Sequence, residues 1–305
     1  MENSRFNIIG IGEILWDIYE NEKYLGGAPT NFAYHCQQLS DRGIVVSRVA
    51  DDELGRSIID SLCQKGLETG YIQLDCNQKT GTVRVTIDAA GKPRFQCRTD
   101  VAFDYLEFDD QLHSLAQQAD AVLFGTLAQR NNIARASINN FLAAASHAFK
   151  IFDINLRGWD RATERIIEDS LTLADAIKLN DDELHILNRA WQPKLDEPEF
   201  LQFLLDKFDL QLAALTLGPH GCVLATKHEV IRSGGLTIEV KDTTGCGDAF
   251  AAALTCGYLR RKSLNDVAAA SNLLGAFVAL FSGATPHYTL DDLKKFQQDF
   301  VSAFP

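Results

Sequence analysis

The run Asp242-Thr-Thr-Gly-Cys-Gly-Asp-Ala-Phe250 sets two glycines, two threonines and two aspartates against the start of an apolar helical pattern, Ala249 to Tyr258. The alternating stretch Leu236-Thr-Ile-Glu-Val240 precedes it and reads as a strand. A strand, a glycine turn and a helix start make a site for an anion. The first N–H groups of a helix have no intrahelical partner, and its dipole puts partial positive charge there. Glycines let the backbone come close to a bound phosphate. Asp248, in the first turn, admits two readings. It complements the helix dipole, or it takes a proton from a nucleophile attacking the bound anion.

Four further polar clusters follow apolar runs: Asp17 after Ile14-Leu-Trp16, Asp153-Ile-Asn155-Leu-Arg157, Asn180-Asp-Asp-Glu183, and Thr216-Leu-Gly-Pro-His-Gly221. Ligand sites of α/β proteins lie at the carboxyl ends of strands, where such clusters would gather. Asn180 or Asp181 could also be no more than a helix cap. Other nucleotide motifs are excluded. The chain has no Gly-x-x-x-x-Gly-Lys-Ser/Thr, and Gly10-Ile-Gly12 lacks the third glycine of the dinucleotide fingerprint because Leu15 stands there.

The elements that must position these clusters are legible from periodicity. Strands are expected at Phe6–Gly12, Gly43–Val49, Asp120–Gly125, Lys150–Ile154, Ala176–Leu179 and Leu212–Leu217. Helices are expected at Thr30–Leu39, Glu53–Lys65 with Gly66 as its stop, Ile133–Phe149 and Ala162–Ala174. Strands apolar throughout and separated by helices imply an α/β fold, a mainly parallel sheet covered by helices on both faces. Thr82–Asp88 and Arg94–Arg98 break that rhythm. They alternate with period two around the turn Ala89-Ala-Gly-Lys-Pro93, which implies an antiparallel hairpin. With the segments near 13–26, the hairpin near 80–100 is expected to form a small antiparallel β lid on a single domain spanning residues 1–305.

The totals narrow the function. The formal charge is −12, from 29 basic and 41 acidic residues, which argues against nucleic-acid or anionic-membrane partners. Seven scattered cysteines without a Cys-x-x-Cys pair imply a reducing compartment with neither disulfide frame nor zinc site. The first residues carry no basic leader and no apolar run is long enough to span a bilayer, so the expected location is cytoplasmic.

Gly26-Gly-Ala-Pro-Thr-Asn-Phe-Ala33 and the Asp242–Phe250 run resemble the two signatures of the ribokinase-like (PfkB) carbohydrate kinases. The resemblance extends from about Gly10 to Pro286. Gly12-Glu-Ile-Leu-Trp-Asp17, Tyr34-His35 and Asp153–Arg157 look most like bacterial fructokinases. The resemblance implies a ribokinase-like fold and ATP-dependent phosphorylation of a sugar hydroxyl, with Mg²⁺. Asp248 matches the family's general base, and Gly245, Cys246 and Gly247 its anion hole. Asp17, Gly27 and Asn31 match sugar-binding positions, with Asp153 and Asn155 beside them. Asn180 and Glu183 match a motif that places Mg²⁺ through water. Thr216, Gly218 and Gly221 match nucleotide-side loops, and Asn272 a position near the adenine. Asp242 and Thr244, with the Phe281-Ser-Gly283 turn, match a monovalent-cation (K⁺) loop.

Arg157 and Arg98 are the cations expected to reach the reacting centre or the substrate; Arg98 either closes with the lid or is a solvated hairpin charge. Two residues depart from the family pattern: Cys246 in place of alanine and Ile154 in place of proline. A thiol beside an anion hole is expected to have a lowered pKa. Fructose is the leading substrate, with 2-keto-3-deoxygluconate as the alternative and nucleosides behind. A non-catalytic sugar-binding relative is set back by the survival of the base, the anion-hole glycines and the Asn-x-x-Glu acids. An exposed lid edge could pair two copies into a homodimer.

Overall fold

A computed structural model describes residues 5–20, 22–87, 93–191 and 194–303. Apolar, β-branched runs assemble a nine-stranded sheet in the order β13 (Val230–Ser233), β12 (Cys222–Ala225), β11 (Leu212–Thr216), β10 (Ala176–Asn180), β9 (Phe149–Asp153), β8 (Ala121–Gly125), β1 (Asn7–Ile11), β4 (Arg42–Ala50) and β5 (Ile72–Asp75). From β11 to β5 every pairing is parallel, while β12 and β13 close one edge as antiparallel strands.

Alternate side chains of these strands feed two layers of core. Ile9, Ile11, Phe124, Phe152 and Leu215 pack under α3 (Asp110–Ala116), α4 (Asn132–Ala144), α5 (Arg161–Leu173), α6 (Asp181–Trp191) and α7 (Glu197–Phe208). Ile8, Leu123, Ile151 and Ala214 face α1 (Ala28–Gln38), α8 (Cys246–Leu259) and α9 (Leu264–Val278). Burial on both faces is why the strand sequences do not alternate. Chain order reverses across β1, which has β8 on one side and β4 on the other. A crevice at the carboxyl ends of the strands is expected at such a switch.

The second sheet has four strands in the order β3 (Lys23–Gly26), β2 (Leu15–Ile18), β6 (Gly81–Ile87) and β7 (Pro93–Cys97). Two antiparallel hairpins, β2–β3 and β6–β7, meet through a parallel β2–β6 pairing. Its own core is small: Leu15, Val83, Val101 and Phe103. The expected turn over Ala89–Lys92 lies outside the described residues.

Two expectations fail. Residues 236–240 are not a strand. The last strand of the sheet is β13, and Val240 beyond it is 54% exposed with no ladder to join. The helix expected to run to Phe149 stops at Ala144. Phe149 pairs with Ala121 of β8 instead, because the ladder outweighs local helical preference.

Candidate active site

A cleft of about 1180 Å³ runs along the carboxyl ends of the strands, from the small sheet to α9. α8 starts at its middle. Gly245 caps α8 in a left-handed conformation (φ 78°), and a Cβ there would lie 2.4 Å from the Ala284 Cβ, so the position demands glycine. The Gly245 and Gly247 N–H groups have no partner among the described residues, whereas Cys246 N–H donates to the Thr243 carbonyl at 3.3 Å. Two of the three expected anion-hole donors are therefore free, and the third is partly engaged. Asp242 closes the loop on itself. Its Oδ1 accepts from the Thr244 N–H and hydroxyl at 2.9 and 2.7 Å, and its Oδ2 from Gly283 N–H at 2.9 Å. Asp242 itself does not line the cleft; Thr244 does.

The wall behind that loop is fixed from the opposite side. Three consecutive carbonyls each take a side-chain donor: Ala284 from His35 Nε2 (2.9 Å), Thr285 from Lys65 Nζ (2.9 Å) and Pro286 from the Tyr34 hydroxyl (2.8 Å). Burial pulls His35 down to about 4, so the imidazole is neutral. Its hydrogen sits on Nε2, facing the carbonyl, and Nδ1 accepts from the Tyr288 hydroxyl at 2.9 Å.

Asp248 projects from the first turn of α8 into the cleft, where its Oδ2 accepts from Asn31 Nδ2 at 2.8 Å. Burial raises its pKa, the Asn31 hydrogen bond together with Lys178 and Arg157 opposes the rise, and Asp17 adds to it. An acid with heightened proton affinity, held beside free amides, has the makings of a base.

Lys178 escaped the sequence reading. Its Nζ lies 3.1 and 3.0 Å from the two Asp153 oxygens, and a Cβ on Gly247 would be 2.9 Å from that Nζ. The ammonium thus stands against the amide cradle. Burial alone would lower its pKa, but Asp153, Glu183 and Asp248 together carry it above the usual lysine range. A lysine inside the apolar strand run Ala176-Ile-Lys-Leu179 was the available signal.

Asp153 was expected on the substrate, but it is 1% exposed beneath the cleft floor and anchors Lys178. Glu183 was expected to place a metal, but both its oxygens are taken. Oε2 accepts from Asn180 N–H at 2.9 Å and Oε1 from Leu156 N–H at 2.8 Å, while Asn180 Oδ1 accepts from Glu183 N–H at 2.8 Å. That reciprocal pair is a capping box for α6. Asn180 is both cap and cleft residue, and Glu183 ties the β9–α5 connection to it. In that connection Asn155 turns the chain (φ 41°) and Arg157 reaches the cleft with no hydrogen bond among the described residues.

Asp17 (β2), Gly27, Asn31 (α1) and Asn155 line the end of the cleft next to the small sheet. Burial pushes Asp17 up to about 6, with Arg157 opposing and Asp242 adding. Glu13, also missed, lies on the same wall. Arg98 does not. It is exposed on the strand end, where its backbone carbonyl accepts from Arg130 Nη2 at 2.6 Å.

At the far end Thr216, Gly218, Gly221 and Asn272 line the cleft beside an apolar wall of Leu236, Ile238, Val240, Phe250, Ala276 and Ala279. Asn272 Nδ2 donates to the Gly234 carbonyl at 3.1 Å and so holds the loop that carries this wall. The Cys246 thiol is not acidified. Burial, then Asp242 and Asp248, push it up to about 12, which overturns the expected reactive thiolate. All seven cysteines are free. Among the described residues no helix is long and apolar enough to cross a membrane.

The chain is similar in sequence and fold to sugar kinases. An uncharacterised sugar kinase of Pyrococcus horikoshii is 29% identical over 311 residues, covering 95% of this chain and 96% of its own. Its structure in complex with ATP matches with a TM-score of 0.81 at 28% identity, covering 94% and 97%. A fructokinase of Klebsiella pneumoniae is 29% identical over 259 residues, 80% of each chain. The fold is shared with a fructokinase of Vibrio cholerae solved with fructose, ADP and calcium, at a TM-score of 0.82 and 23% identity, covering 96% and 99%. The model of the pfkB family carbohydrate kinases matches residues 12–289, nearly the whole chain, and the protein belongs to that family.

Proposed function

We propose that this carbohydrate kinase transfers the γ-phosphoryl group of ATP to a hydroxyl of fructose. The observation that carries the reading is Asp248, a proton acceptor set beside the free Gly245 and Gly247 amides at the boundary between a polar and an apolar end of one cleft. In this reading Asp17, Asn31 and Asn155 hold the sugar, and Asp248 takes the proton of the attacking hydroxyl. Charge spread over the transferring phosphoryl oxygens meets the two amides and Lys178, fixed before the reaction begins, and Arg157. The apolar wall at Leu236–Val240 suits a nucleobase, and Thr216, Gly218 and Gly221 its phosphates. Closure of the small sheet over the sugar would exclude water and limit ATP hydrolysis.

Mg²⁺ accompanies ATP here, to neutralise its phosphates. Among the described residues no three His, Cys, Asp or Glu side chains gather to bind a metal, but Asn180, Asp181 and Asp182 face the cleft. That sparse donor set suits an ion that keeps much of its water shell and rests on nucleotide phosphates, and these three residues would hold it through water.

The Klebsiella and Vibrio fructokinases support fructose as the substrate. An ADP-release assay across ketoses, aldoses, ketodeoxy acids and nucleosides, with and without K⁺, tests the reading. Fructose should give the highest kcat/KM; a tenfold preference for any other compound would replace it.

A further inference from the structure

Glu13, in the β1–β2 connection, is 3% exposed on the cleft wall. Its Oε1 accepts from Ala28 N–H at 3.3 Å and its Oε2 has no hydrogen-bond partner among the described residues. The charged groups acting on it are Arg157 from the β9–α5 connection and Asp248 from α8; Cys97 on β7 feels it in turn, and Asp17 on β2 shares the same end of the cleft. Two other cations nearby are committed. Lys178 is held by Asp153, and Arg130 by Asp104 and the Arg98 carbonyl. Arg157 remains, and it faces Glu13, Asp17, Asp153 and Asp248 together. Among the described residues the end of the cleft that would take the sugar therefore carries an excess of acid, and Arg157, the cation left without a hydrogen bond there, already faces four carboxylates.

We propose that Glu13 is a specificity-determining residue: its buried carboxylate, acting through space, bars sugars that carry a carboxylate or phosphate and keeps the enzyme on uncharged ones. The proposal rests on the sugar-kinase reading and deepens it. Contact with the sugar is not required, since Oε2 is sealed behind the wall and the field of a charge in a poorly solvated site reaches across several ångströms. Burial pushes Glu13 up to about 7, with Arg157 opposing and Asp248 adding. Its charge is therefore largely present at pH 8 and largely removed at pH 6, while a sugar acid stays ionised throughout. The filter strengthens as pH rises.

The test compares wild type with Glu13→Gln and Glu13→Met at pH 8 and pH 6. It measures KM for fructose and the competitive inhibition constant of fructuronate, which differs by one carboxylate. At pH 8 both variants should narrow the gap between the two constants by about tenfold, through tighter fructuronate binding. At pH 6 they should narrow it much less. An unchanged KM for ATP shows that the variants are folded. An unchanged gap at pH 8, or equal narrowing at both pH values, overturns the role of Glu13 and leaves the fructose reading intact. Should another uncharged sugar prove the better substrate, the fructose reading falls and the comparison is made with that sugar and its own uronic acid. A wild type that binds the acid more tightly overturns both.

Discussion

The two ends of the cleft are built from different materials. Near the small sheet, Glu13, Asp17, Asn31 and Asp248 crowd polar side chains into a site where burial drives Glu13 to about 7 and Asp17 to about 6. Near α9 the wall is made of Leu236, Ile238, Val240 and Ala276, with Thr216, Gly218, Gly221 and Asn272 beside them. Side-chain chemistry dominates the first end and shape the second. A sugar offers many hydroxyls to be told apart, whereas a nucleobase offers a flat apolar face that any slot of the right width accepts. The cradle between them, Gly245 to Asp248, belongs to neither and is backed by the wall that Tyr34 and His35 of α1 and Lys65 hold.

The largest effect is expected where the two ends meet. Asp248→Asn keeps the Asn31 contact geometry but removes the proton acceptor, and kcat should fall about 10²–10⁴-fold with both KM values little changed. Lys178→Met comes next. It leaves Asp153 as an unpaired buried charge, so chemical denaturation should show a loss of about 3–5 kcal/mol, and kcat should fall about 10²-fold. Adding Asp153→Leu should restore most of the stability and none of the rate, separating the cradle role of the ammonium from its structural one. Smaller still, His35→Phe frees the Ala284 carbonyl from the strap. It should lower kcat roughly tenfold, as loss of a preorganised contact does, while steady-state KM for fructose stays the same. A changed sugar KM would place the strap in the polar end rather than behind the cradle.

The polar end was the more legible in sequence, because carboxylates and amides after apolar runs are visible as residues. Asp17, Asn31, Asn155 and Asp248 all reach the cleft as expected. Errors arose where one residue type serves two purposes. Asp153 and Glu183 look like ligand residues in sequence, yet one neutralises Lys178 and the other is spent on backbone N–H groups. Only the third dimension assigns partners to a carboxylate. Lys178 and Glu13 were missed for the converse reason, as single charges inside apolar runs whose significance depends on burial.

At the apolar end Thr216, Gly218, Gly221 and Asn272 reach the cleft as expected, but the apolar wall beside them was not foreseen. Leu236–Val240 alternates like a strand, but sheet membership depends on a neighbouring edge, and the chain there borders the cleft instead. The parallel sheet was readable because strands buried on both faces must be apolar throughout, and the small sheet because its hairpin alternates. How the two hairpins join through β2 and β6 was not, since pairing between distant segments leaves no local pattern.

The most direct test of Asp248 as the proton acceptor is kcat at saturating sugar and ATP as a function of pH, in wild type and in Asp248→Asn. Burial raises the Asp248 pKa, so the wild-type rate should fall on acidification with an apparent pKa above the ordinary aspartate range, and the residual activity of the variant should lack that limb. The same acid limb in both proteins would contradict the account.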